Sequence, residues 1–154
     1  MADIIYTNEN FDAISLHDSK VHGVQFCIDV AKFQSDIVFD IDYIVESACD
    51  SGFQFMVAPA ELRFHNVTDL NLSINWGESG FQNSVSGPFI IELAREPAET
   101  KMRVKNYYLW KIVCNNEKYN ISLGASDFTL TLLSDPVASS EQYLDIEERK
   151  ALIK

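Results

Sequence analysis

Histidine, cysteine, glycine and basic residues are all scarce in this chain of 154 residues, and each scarcity closes a route to function. A nucleophile needs a base within hydrogen-bond reach and a group to orient that base, and three histidines leave few such sets. The three cysteines, Cys27, Cys49 and Cys114, are an odd number with no C-x-x-C spacing and no histidine beside them. They read as reduced, incidental thiols, not as a disulfide framework or a zinc site. Six glycines form none of the phosphate or nucleophile loops G-x-G-x-x-G, G-x-x-x-x-G-K-[ST] and G-x-S-x-G, and H-E-x-x-H is also missing. Twelve Lys and Arg face 23 Asp and Glu, a net charge of −11, so the surface repels phosphate backbones and argues against nucleic-acid binding. No stretch approaches the roughly 18 apolar residues of a membrane span, and the N-terminus has acidic residues early and no apolar core. The expectation is a cytoplasmic protein without a membrane segment or cofactor.

What the chain has in quantity is alternation of apolar and polar residues, the signature of half-buried strands. In VHGVQFCIDV one face carries Val24, Phe26, Ile28 and Val30, and the other carries Gln25, Cys27 and Asp29. In DIVFDIDYIVE, Ile37, Phe39, Ile41 and Tyr43 alternate with Asp40 and Asp42. AELRFHNV and TDLNLSINW follow, with a turn between them that predicts a hairpin, and then GPFIIELAR, NYYLWKIVC, KYNISLGA and DFTLTLLS. That is about eight strands. Short connections favour antiparallel pairing, because parallel strands need long crossovers and are covered on both faces.

Only the tail leaves period two. Pro136 ends the last strand, Ser139 and Gln142 have capping-box spacing, and Tyr143, Leu144, Ile146 and Ala151 recur at helical intervals. The expected fold is one domain over residues 1–154: a mainly β, antiparallel curled sheet, sandwich or partly open barrel with a C-terminal helix. The two longer connections, Ser47 to Pro59 and Trp76 to Gly87, are the loops most suited to carry function.

The best single site candidate is His17–Asp18, two ionisable residues at the entry to the first alternating strand, flanked by the apolar anchors Leu16 and Val21. The pair equally suits a chain bending into a strand, since Asp accepts bonds from backbone N–H groups just downstream. A metal site would have to gather His17, Asp18, His22 and His65, but in an extended strand Asp18 and His22 lie roughly 13 Å apart at about 3.3 Å per residue. Asp40 and Asp42 share a strand face about 6.6 Å apart. Their bland role is to keep a solvated edge from pairing with other chains.

An early LHDS, a strand, PAELRFHNVTDLNLSINW, an aromatic YYLWKIV strand and a final ISLGASDFTLTL form a succession over roughly residues 14–133. It resembles small bacterial β proteins, among them families of immunity proteins of polymorphic toxin systems. In those families a histidine–aspartate before the first strand and a V-x-L-x-F-x-x-V-x-x-L hairpin recur, and the matching residues here are His17, Asp18, Leu62, Phe64, Val67 and Leu70. The resemblance implies a non-enzymatic protein-binding module that neutralises a toxin by covering its active site, with His17 and Asp18 as candidate binding residues. A net charge of −11 would suit a basic partner such as a nuclease toxin. Two other readings stay open, a small-molecule-binding β domain and an enzyme using His17 and Asp18. A homo-oligomer through an exposed edge strand is open as well.

Overall fold

The computed structural model describes residues 3–48, 54–75, 77–99 and 106–153. Among them are ten strands. They are β1 (Asp3–Thr7), β2 (Ser19–Asp29), β3 (Gln34–Ala48), β4 (Gln54–His65), β5 (Thr68–Ser73), β6 (Phe89–Pro97), β7 (Tyr108–Cys114), β8 (Asn120–Ala125), β9 (Asp127–Leu132) and β10 (Val137–Ser139). Helical turns occupy Asn8–Ala13 and Gly77–Ser79 as 3-10 helix, and short α-helices span Phe81–Ser84 (α1) and Ile146–Leu152 (α2). Every pairing is antiparallel, in the order β1-β9-β4-β3-β2-β6-β7-β8-β5, with β10 added to the start of β4. The eight alternating stretches all appear as strands, joined by β1 and β10, which are too short to show a clear period in sequence.

The sheet curls until its two halves face each other. β1, β9, β4 and β3 form one half, β6, β7, β8 and β5 the other, and β2 joins them through a short pairing of Ser19 with Ile90 and Lys20 with Phe89. On the opposite side the chain crosses between the halves at residues 66–67 and at Ser126, where the Ser126 N–H donates to His65 O. The expected hairpin of β4 with β5 is therefore not formed. β4 pairs with β3, β9 and β10, whereas β5 pairs with β8. Asn66, with φ +54°, turns the chain out of one half, and a bulge after Thr68 sets it into the other.

Inside lie Ile37, Phe39, Ile41, Leu62, Phe64, Phe128 and Leu130 from one half and Ile90, Trp110, Ile112, Ile121 and Leu123 from the other. Trp110 sits at the centre, with Phe64, Phe128 and Phe11 edge-on at 5.3–5.5 Å. Its indole N–H donates to Ala125 O, so the polar end of the ring is satisfied. Arg95 closes one end of this core, stacked on Phe11 and Tyr108 at 4.3 and 4.4 Å and bonded to Asn8.

The tail differs from its expected start. Ser139 ends β10, and α2 begins only at Ile146. Asp145 caps it, accepting from the Glu148 N–H while Glu148 accepts from the Asp145 N–H. The Ser139 hydroxyl instead accepts from Glu141 N–H within a non-helical bend. Of the two longer connections, the first shrinks because β3 runs to Ala48 and β4 starts at Gln54; Cys49 and the rest of 49–53 lie outside the described residues. In the second, Gly77 adopts φ +72°, and a Cβ there would stand 2.6 Å from Ser84 Cβ, so glycine is required.

Candidate functional site

His17 and Asp18 lie in the bend that feeds β2. Asp18 takes φ +64°, a left-handed conformation that Asp tolerates better than most residues, and its N–H donates to Ile90 O at 2.8 Å. The Ser19 N–H donates to Leu16 O, and Leu16 and Val21 are both buried, so the bend is held on either side. His17 Nδ1 stands 2.9 Å from Asp18 Oδ2, and the same oxygen accepts from Gln142 Nε2 at 2.8 Å. The pair thus meets the tail of the chain.

Asp40 and Asp42 do not share a solvated face. Asp42 is wholly buried and accepts from His22 Nε2 (2.8 Å), the Leu144 N–H (2.8 Å) and the Arg149 guanidinium. Arg149, itself buried, also pairs with Asp40 and donates to Ile41 O. The reason is tertiary: residues 137–153 return across the outer face of β4, β3 and β2, and the carboxylates that would have faced water meet a guanidinium. Lys20 lies 4.4 Å above the Tyr143 ring, and Phe89 packs edge-on against it. Asp42 has three donors on its oxygens and functions as a clamp.

A third carboxylate, Asp36, was not singled out by sequence. It is buried on the outer face of β3 beside Gln34 Nε2 (2.8 Å), Arg63 Nη1 (3.2 Å), His65 Nδ1 (3.3 Å) and the Asn66 N–H (3.3 Å). Burial works to raise its pKa, but the bonds from Gln34 and Asn66, the charge of His65 and the bond from Arg63 outweigh it and hold the carboxyl below the ordinary aspartate value. His65 Nε2 reaches Thr129 Oγ1 at 3.2 Å, tying β3, β4 and β9 together.

Each histidine is thereby matched to a different aspartate: His17 to Asp18, His22 to Asp42 and His65 to Asp36. Among the described residues no three His, Cys, Asp or Glu side chains gather around a common point. Cys114, on the core face of β7, is a neutral thiol, its pKa pushed up to about 11 by burial. Cys27 is half-buried on the outer face of β2.

The β2–β3 hairpin is one surface feature without a structural explanation; Phe81 and Val85 at α1, 91% and 77% exposed, are another. Val24, Phe26 and Ile28 do share one face, as alternation predicts, but only Val24 packs on the core. Phe26 and Ile28 are 58% and 63% exposed, because β2 and β3 outrun the half of the sheet that faces them. At the tip, Asp29 Oδ1 accepts from the Ala31 and Lys32 N–H groups and the Phe33 N–H donates to Val30 O. The turn is thus closed by backbone and Asp29, yet it presents Val30 at 91% and Phe33 at 96% exposure. Phe33 also holds φ +53°, a region costly for a bulky residue. Ile28, Val30 and Phe33 form one wall of an open cleft of about 310 Å³ whose other wall is Asn66, Val67 and Thr68. Beyond Val21, whose N–H still donates to Pro88 O, no described strand pairs with the second edge of β2.

Among the described residues no helix is long and apolar enough to cross a membrane. Comparison with protein-family models, curated proteins and solved structures gave no match.

Proposed function

We propose that this chain is a non-enzymatic protein-binding module that acts in the cytoplasm and grips its partner at the β2–β3 tip, in the manner of an immunity protein that covers a toxin. The observation that carries this reading is Phe33. A nearly fully exposed phenyl ring at positive φ contributes nothing to the core and burdens the turn, so its benefit lies outside the monomer. With Val30, Ile28 and Val67 it supplies an apolar anchor beside a cleft, the arrangement from which a few residues provide most of the energy of an interface. The net charge of −11 favours a basic partner, drawn in by opposed potentials. His17 and Asp18, at the other end of β2 from the tip, hold the tail to that strand in this reading.

The test is titration against the proteins encoded beside this one, toxin domains first. The expected result is a complex that weakens as salt is raised and loses at least about tenfold in affinity on Phe33→Ser. Absence of a complex with any of them, or a complex indifferent to Phe33→Ser, overturns the reading.

A further inference from the structure

Among the described residues, the edge of β2 beyond Val21 differs from the edge strands β1 and β5. Exposed edge strands are normally blunted by charge or proline, because unpaired N–H and C=O groups recruit other chains. The edge strands β1 and β5 carry Asp3 and Asp69, and β5 is bulged besides. Residues 21–28, VHGVQFCI, contain no Asp, Glu, Lys, Arg or Pro, in a chain where 35 of 154 residues are charged. This open edge also presents Phe26 and Ile28 on the inner face and Gln25 and Cys27 on the outer.

We infer that this edge pairs with the same edge of a second copy of the chain, giving a two-fold dimer whose sheets are continuous through β2. The absence of charge selects the occupant. Two chains of net charge −11 repel one another, and they can meet only along a stretch that places no carboxylate opposite another. A basic partner, by contrast, finds no carboxylate on residues 21–28. Antiparallel self-pairing about Phe26 is self-complementary: Phe26 meets its own copy, Val24 meets Ile28, and Gln25 meets Cys27. In this register the uncharged residues paired across the seam run from Val24 to Ile28, roughly 16 Å at about 3.3 Å per residue, so the dimer falls at the small, weak end of interfaces, with a dissociation constant in the upper micromolar range. The two hairpin tips lie at opposite ends of the seam and stay free. The inference therefore stands apart from the partner-binding reading.

Sedimentation equilibrium of the full chain tests it. The expected result is a monomer–dimer equilibrium that tightens as salt screens the repulsion, opposite in sign to the salt effect on a basic partner. Phe26→Lys, at a side chain already more than half exposed, weakens the dimer at least about tenfold, whereas Phe33→Ser leaves it unchanged. Gln25→Cys, under mild oxidation, cross-links to Cys27 of the second copy in a covalent dimer that reducing agent dissolves. A wild-type chain that stays monomeric up to about 1 mM overturns the inference, as does a dimer insensitive to Phe26→Lys or a Gln25→Cys chain that yields no cross-link. None of these three results touches the tip's own test.

Discussion

Asp36 and Asp42 lie six positions apart on β3, and both are buried on its outer face, yet they are stabilised differently. Asp42 depends on the returning tail, whereas Asp36 is served by neighbours on its own and adjacent strands. The lowered pKa of Asp36 makes it a stability term with a definite pH dependence. Folded Asp36 gives up its proton more readily than the 3.8 of a free aspartate, so its contribution is complete above that value and is lost as pH falls through the lower folded value. Asp36→Asn should therefore cost about 1–3 kcal/mol at pH 7, with the gap to wild type narrowing below about pH 4. Urea titrations at pH 7 and pH 3 check this, and an equal gap at both would show that the carboxylate charge is irrelevant.

At the scale of elements, the tail is the part whose docking depends most on single contacts. α2 has only seven residues, too short to be stable alone, and is held by Arg149 on Asp40 and Asp42, by buried Leu144 and by the short β10 ladder. Arg149→Ala leaves Asp42 buried with a charge that only His22 and one N–H address, and should cost about 3–5 kcal/mol. Adding Asp42→Asn removes that stranded charge and should restore part of the loss, giving a positive coupling in a double-mutant cycle. Glu147→Ala on the exposed side of α2 should stay within about 0.5 kcal/mol. Additive losses for Arg149→Ala and Asp42→Asn would mean the two do not form one unit.

At the scale of the molecule, the aromatic residues divide into two sets with opposite expectations. Phe64 touches Phe39, Trp110 and Phe128 at the centre of the core, and Phe64→Ala should cost about 3–5 kcal/mol. Phe33→Ala should change stability by no more than about 0.5 kcal/mol, because the ring touches mainly water. Thermal and urea unfolding of the two variants side by side separates them. A large loss for Phe33→Ala would make the tip a structural element and remove the basis for binding there.

Local sequence by itself determined eight of the ten described strands, their antiparallel pairing class, the presence though not the start of the C-terminal helix, and the bend at His17–Asp18, because side-chain period and turn chemistry are properties of neighbouring residues. It also put Phe26 and Ile28 on the same face as Val24. Whether a face is covered is another matter, since that depends on how far the opposing half of the sheet extends. The exposure of the hairpin was for that reason illegible, as was the crossing of β5 into the other half. The burial of Asp42 was likewise beyond reach of the pattern: Arg149 arrives from 107 residues away, and no local period records a partner at that separation.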